Sequence, residues 1–199
     1  MSALRAVPGH TATPVHVDSR FDLAPYTVDL ADLSADVVGL DPRTDPESLT
    51  LCALMWSVDT VAAVRVTSAL EPADFAEPAY AELFAVIAEL VTSEQPHDPA
   101  SVAAVLHRGG GGQKDAPLRR ALADVVTADI TGFSASVHYA DIVLSQSYRR
   151  SFHIAGQRLM QAAEEGPEDE LFDYMVELGT AQRAAWSRLN TFRAGAAHP

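Results

Sequence analysis

The stretch from Asp74 to Leu106, D-F-A-E-P-A-Y-A-E-L-F-A-V-I-A-E-L-V-T-S-E-Q-P-H-D-P-A-S-V-A-A-V-L, decides the fold. Its apolar residues Tyr80, Leu83, Phe84, Ile87, Leu90 and Val91 recur every three or four positions, with Glu82, Ala85, Ala88 and Glu89 between them. That is the period of a helix with one buried face, and a strand could not keep it in register. Pro78 stands where a first-turn proline stands, with acidic Glu77 before it. Gln95-Pro96-His97 should stop the helix, because the residue before a proline is driven out of the α region. Asp98-Pro99 then caps and opens a second helix whose inner face carries Val102, Val105 and Leu106.

Upstream, Asp45-Pro46-Glu47-Ser48 reads as another capped start. Leu49, Leu51, Cys52, Leu54, Met55 and Trp56 follow, apolar nearly all round, which predicts a helix at the centre of the core. Ser57-Val58-Asp59 breaks it and caps a helix expected to turn Val61, Val64 and Leu70 inward. The turn Glu71 to Phe75 should tuck Phe75 under the Tyr80–Val91 stripe. Residues 1–44 are proline- and aspartate-rich without sustained periodicity and read as a flexible acidic arm, with at most a weak helix over 28–38.

Downstream, Asp115-Ala116-Pro117 opens a helix with Leu118, Leu122, Val125 and Val126 inward, and a polar linker runs from Thr127 to Phe133. Two long helices come next. The first, from about Ser134 to Glu165, carries Val137, Ala140, Leu144, Tyr148, Phe152, Ala155 and Leu159 along one stripe. Gly166-Pro167 halts it. The second, from about Glu168 to Phe192, carries Leu171, Phe172, Met175, Leu178, Gln182, Trp186 and Leu189. A short loop between long helices predicts an antiparallel hairpin. The expected organisation is an arm over 1–44, a globular helical domain over 45–133, a helical hairpin over 134–192 and a tail over 193–199. The fold class is all-α: a small helical bundle followed by a long hairpin.

The 199 residues are 48% hydrophobic but only 7% aromatic, enough for one core built mainly from Ala, Val and Leu. A formal net charge of −13 argues against a protein that grips duplex nucleic acid by itself, since phosphate affinity needs clustered cations. A single cysteine, Cys52, excludes an internal disulfide and any Cys-rich zinc site. Set among leucines, it reads as an inert core thiol. No apolar run is long enough to span a bilayer and no signal-peptide core is present at the N-terminus, so the expected compartment is the cytoplasm.

Catalytic chemistry is hard to find. Gly109 to Gly112 with Lys114 is not a phosphate loop: Gln113 precedes the lysine, no hydroxyl follows it, and the segment before it is helical. The seven histidines show no paired ligand spacing, and Gly132-Phe133-Ser134-Ala135-Ser136 lacks the second glycine of a nucleophile elbow. The carboxylates read as solvated helix positions. No catalytic, cofactor-binding or metal-binding residue is assigned, and no cofactor is expected. Charge is uneven: Pro46 to His107 holds one arginine against nine acids, whereas Arg108 to Arg150 holds six bases against four acids. Arg119-Arg120 and Arg149-Arg150 are the densest basic spots. They are read as solvated helix faces, with a nucleic-acid-binding regulator using residues 108–150 as the alternative.

The order of these pieces resembles the N-terminal domain of replicative DNA helicases of the DnaB family. Pro46-Glu47-Ser48-Leu49-Thr50-Leu51-Cys52-Ala53-Leu54-Met55 stands where that family has its first helix after a Pro-x-x-Glu start. Asp74-Phe75 followed by Tyr80-Ala81-Glu82-Leu83-Phe84 is similar to its Asp-Phe motif and next helix. Pro96-His97-Asp98 with Val102 to Leu106, Tyr139-Ala140-Asp141-Ile142-Val143, and Tyr148-Arg149-Arg150 follow in the family's order. The resemblance runs from about Pro46 to Leu189. Cys52 departs from a usual glycine, and Asp115-Ala116-Pro117-Leu118-Arg119-Arg120 replaces a Gly-Gly-x-x-Tyr-Leu segment. No Walker motif follows before Pro199, so a copy standing alone is expected not to be an enzyme and not to unwind DNA. The resemblance implies a collar-type interaction module of the primosome, working in DNA replication. It would form a homodimer or higher oligomer and contact helicase, primase or helicase loader, without direct nucleic-acid binding. The expected protein-binding residues lie on the hairpin: Tyr148, Phe152, Leu159, Leu171, Phe172, Met175 and Trp186.

Overall fold

The computed structural model describes residues 41–108, 116–128 and 135–196. Those residues form seven α-helices and one 3-10 turn, with no strand among them. In chain order they are α1 (Pro46–Met55), α2 (Thr60–Ala69), the 3-10 turn Pro72–Asp74, α3 (Pro78–Thr92), α4 (Pro99–Arg108), α5 (Ala116–Val126), α6 (Ala135–Glu165) and α7 (Leu171–Ala196). Residues 1–40 of the expected arm, residues 109–115 with the glycine run and Lys114, residues 129–134 and residues 197–199 of the expected tail lie outside the described residues.

Local chemistry sets the helix starts. Asp45 accepts the backbone N–H of Glu47 at 3.0 Å, Asp59 those of Val61 and Ala62 at 3.0 Å each, and Asp98 those of Ala100 and Ser101 at 3.0 and 3.2 Å. Each carboxylate satisfies donors that the first turn would otherwise leave open. α1 is the buried centre: from Glu47 to Met55 every residue is buried. Around it, Tyr80, Leu83, Phe84, Ile87, Leu90 and Val91 of α3 fill the core, as the spacing predicts, and Phe75 packs its ring 4.9 Å from that of Phe84. Burial of these large side chains is the main stabilising term, at roughly 1.5–3 kcal/mol each.

Three local expectations need correction. Trp56, expected in the core, is the C-cap of α1 and is exposed. On α2 it is Ala63 and Val66 that face inward, while Val61 and Val64 are exposed; that helix carries apolar residues on both faces, so periodicity could not choose. Pro96 does not itself end α3. Glu94 adopts φ 54°, its N–H bonds to Val91 O at 3.1 Å, and Gln95 N–H bonds to Leu90 O at 2.8 Å. This double closure by a left-handed residue ends the helix at Thr92, ahead of the proline.

α6 and α7 form the antiparallel hairpin. α7 starts at Leu171, three residues later than expected, because Glu168 to Glu170 form a turn in which Glu170 N–H bonds to Pro167 O. It also runs on to Ala196, so Arg193 to Ala196 are helical. At the tip, Gly166 sits so close to α6 that a Cβ would lie 2.6 Å from Ala162 O, and only glycine fits. The beginning of α6 has a partner besides α7: it packs on α1 and α2, with Ala140, Val143 and Leu144 buried. Leu189 and Phe192 near the end of α7 are buried too. Between Phe152 and Gln182, by contrast, the only buried side chain is Ala162.

Candidate functional site

Two features of the hairpin define what it can do: how its root is fastened and what its outer part presents. The root is fastened by buried carboxylates, contrary to the expectation that the acids are all solvated. Asp74, only 1% exposed, closes the 3-10 turn by accepting Glu71 N–H at 2.7 Å. It also accepts Ser147 Oγ of α6 at 2.6 Å and a fork from Arg188 of α7, Nη1 at 2.9 Å and Nη2 at 2.6 Å. Its backbone carbonyl accepts Arg150 Nη2. Arg150 also pairs at 3.5 Å with Glu47, whose carboxylate is held by the backbone N–H groups of Ala76 and Glu77. Planar, two-pronged pairing of this kind fixes geometry as well as charge.

Charge burial in that network has a cost that shows at Glu47. Desolvation pushes its pKa above the ordinary 4.5, and the Ala76 and Glu77 N–H groups and Arg150 pull the other way. Desolvation likewise raises Asp45. A second fastening lies further along the root: Arg65 of α2 donates to Phe192 O at 2.5 Å, with its guanidinium 4.9 Å from the Phe192 ring centre. Arg193 forks onto Asp141 at 2.6 and 3.2 Å. Of the basic spots expected to be solvated, Arg150 is thus committed internally, while Arg149 is exposed.

Beyond the fastened root the hairpin presents apolar side chains. Phe172 is 68% exposed, Trp186 54%, Phe152 50%, and Met175 and Leu159 are exposed as well. Tyr148 and Leu171, the other two expected protein-binding residues, are half-buried; Tyr148 sets its ring edge-on to Phe152 at 5.0 Å. Tyr148, Phe152, Gln182 and Trp186 line one open groove between the helices, and Tyr148, Arg149 and Trp186 a second. Gln182 closes the seam by accepting Ser151 Oγ at 2.8 Å and donating to Ser151 O at 3.0 Å. Phe172 and Met175 lie nearer the tip, away from these grooves. Met160 and Val176, absent from the expected set, are exposed too.

The described residues hold no group of three His, Cys, Asp or Glu side chains placed to bind a metal ion. Cys52 is buried, donates to Ala128 O at 3.5 Å, and has its thiol pKa pushed up to about 11 by burial, the state of an inert thiol. No helix among the described residues is long and apolar enough to cross a membrane. A globular head of α1 to α5, the fastened root of the hairpin and its apolar outer part together define a class: an all-α domain with a helical hairpin as its appendage.

The comparisons with known proteins make that class specific. The family model described as "DnaB-like helicase N terminal domain" matches residues 42–145, and the chain belongs to that family. The crystal structure of the N-terminal domain of DnaB helicase from Mycobacterium tuberculosis is similar over 69% of this chain and 99% of that chain, with a TM-score of 0.55 and 25% identity. No curated protein matches the chain. The family ties this chain to the replicative helicases, and the part matched is their N-terminal domain.

Proposed function

We propose that this chain is a non-catalytic interaction module of DNA replication, which self-associates through its hairpin and contacts a helicase, primase or helicase loader in the cytoplasm. The observation that carries the reading is the exposed apolar strip of Phe152, Leu159, Phe172, Met175 and Trp186. A hairpin gives each helix one partner, and a strip left open beyond that partner is unfavourable in water unless something covers it. Aromatic side chains of this kind are common at the centres of interfaces, and a two-fold axis would let one strip serve both subunits. On this reading the working parts are the arm over 1–44, the globular domain over 45–133, the hairpin over 134–192 and the tail over 193–199, with Tyr148 and Leu171 supporting the exposed contacts.

Light scattering coupled to gel filtration tests it. A dimer at tens of micromolar is expected, and Phe172→Asp with Trp186→Asp should give monomers whose head still melts cooperatively. A wild-type monomer at those concentrations ends the self-association reading.

A further inference from the structure

Of the residues that precede Asp41, one stretch has a helical period. In Val28-Asp29-Leu30-Ala31-Asp32-Leu33-Ser34-Ala35-Asp36-Val37-Val38, the apolar Leu30, Leu33 and Val37 stand at i, i+3 and i+7, one face of a helix. Asp29, Asp32 and Asp36 keep the same spacing one position earlier, so the acids make a second stripe, and the segment holds no base. Thr27 before it and Gly39 after it are start and stop signals. A helix this short is marginal in water by itself and gains order by covering its apolar face.

Two exposed apolar surfaces are open to such a segment, and charge chooses between them. On the head, Trp56, Val58, Val61 and Val64 are exposed, but Asp59 lies among them, and Pro46 to His107 carries nine acids against one arginine. Three more aspartates are unfavourable there. The hairpin root has the opposite character: from Ile142 to Ala163 and again from Leu178 to Ala196 there is no acid, while six arginines lie there. Arg150, Arg188 and Arg193 are committed to internal partners, whereas Arg149 and Arg183 are exposed and line the two open grooves. Both grooves take in Tyr148 and Trp186, so they run as one trough along α7 from Gly179 to Arg193, about 21 Å. A helix over residues 28–38 is about 16 Å long and fits within it.

The chain also delivers the segment to that place. Asp41 O accepts Asp45 N–H at 3.1 Å, Asp45 caps α1, and Glu47 in its first turn pairs with Arg150 at 3.5 Å. The immediate neighbour of Arg150 on α6 is Arg149. Only Gly39 and Leu40 separate Val38 from Asp41, so the segment joins the head at the hairpin root and not at the tip.

We propose that residues 28–38 form a helix in the trough of their own chain, with Leu30, Leu33 and Val37 against Tyr148 and Trp186 and the aspartates toward Arg149 and Arg183. The arm is then an autoinhibitory strap. It covers Trp186 and Phe152, leaves Phe172 and Met175 open, and competes with a second copy for part of the strip. The docking stands on the match of charge and apolar period; only its effect on self-association rests on that earlier reading.

Hydrogen exchange of the full chain at low salt tests the docking. Amides of residues 28–38 should be protected in the wild type, equally at low and high protein concentration. Root reversal (Arg149→Glu with Arg183→Glu) and arm reversal (Asp29→Arg with Asp32→Arg) should each speed their exchange about tenfold or more, since attractive pairs become repulsive. All four changes in one chain should restore the protection. The substituted residues are exposed or outside the core, and circular dichroism melts check that the head persists. An unprotected wild-type segment, or protection that root reversal leaves intact, overturns the docking. Protection that vanishes on dilution places the segment on another copy and overturns the strap. Light scattering reads the second step: Leu30→Asp with Leu33→Asp should free the trough and tighten the dimer about tenfold. A dimer unchanged by that variant overturns the autoinhibition while the docking stands. If wild type and variant are both monomeric, the self-association reading fails and takes the autoinhibition with it, and hydrogen exchange decides the docking by itself.

Discussion

The head and the outer hairpin are built from the same material, amphipathic helices with apolar residues every three or four positions, yet they end in opposite states. In the head, α1 is surrounded, and the stripes of α3, α5 and early α6 close on it, so Leu51, Phe84, Val125 and Val143 are sealed. In the outer hairpin each helix has one neighbour, and Phe152, Phe172 and Trp186 remain in water. The difference lies in the number of covering elements, not in the pattern. The hairpin root belongs with the head, because Asp74 and Glu47 hold Arg150, Arg188 and Ser147.

The sharpest way to break the comparison is one aspartate in each region. Phe84→Asp places a charge in the sealed core without a partner, at a cost of several kcal/mol against a typical total of about 5–15 kcal/mol. Loss of the cooperative thermal transition is expected. Phe172→Asp, at an exposed position, should change the melting of the head little; equal losses at both sites would erase the distinction.

Next in size is the fastening of the root. Asp74→Ala leaves Arg188 and Ser147 without their buried acceptor and should cost about 3–5 kcal/mol in denaturant titrations. Removing Asp141 from the exposed pair with Arg193 should cost under about 1 kcal/mol. Hydrogen exchange should show α7 from Gln182 onward losing protection in the first variant and not in the second.

The pH dependence sharpens the same contrast. Burial holds Glu47 above its ordinary 4.5, so between that value and its raised pKa the folded state binds more protons than the unfolded chain. The contribution of Glu47 to stability therefore rises as the pH falls from neutral through the raised pKa, and levels off below about 4.5. The stability difference between wild type and Glu47→Gln, followed by denaturant titration from pH 7 to 4, should move in favour of wild type on acidification. A difference independent of pH would mean that Glu47 is solvated.

The smallest effect is expected at the end of α3. Glu94 takes a left-handed conformation that glycine adopts without strain, so Glu94→Gly should stabilise the head by roughly 0.5–1 kcal/mol, read as a higher melting temperature. A decrease would show that the Glu94 side chain contributes more than its backbone costs.

Much of the head was legible in the chain. The stripe Tyr80 to Val91, the caps Asp45, Asp59 and Asp98, and the halt at Gly166 follow from local stereochemistry and period, and they appear where the spacing put them. The family resemblance rested on short motifs in order, and the family model matches residues 42–145, which hold all of them but Tyr148-Arg149-Arg150. The inward face of α2 was not legible, because Val61 and Val64 compete with Ala63 and Val66 on opposite sides of one short helix. The role of Asp74 was visible only as half of an Asp-Phe motif; nothing local distinguishes it from the solvated acids around it.

Helix existence, helix ends and the apolar stripes were thus determined by the sequence itself, because they depend on residues within a few positions of one another. Only the tertiary structure decided which stripes are covered and which charges are buried. Asp74 meets Ser147 and Arg188 across 73 and 114 residues, and Glu47 meets Arg150 across more than a hundred. Those partners are chosen by how α1, α6 and α7 pack around the 3-10 turn. Burial then gives each pairing its weight, because a charge excluded from water must find its counter-charge within the fold.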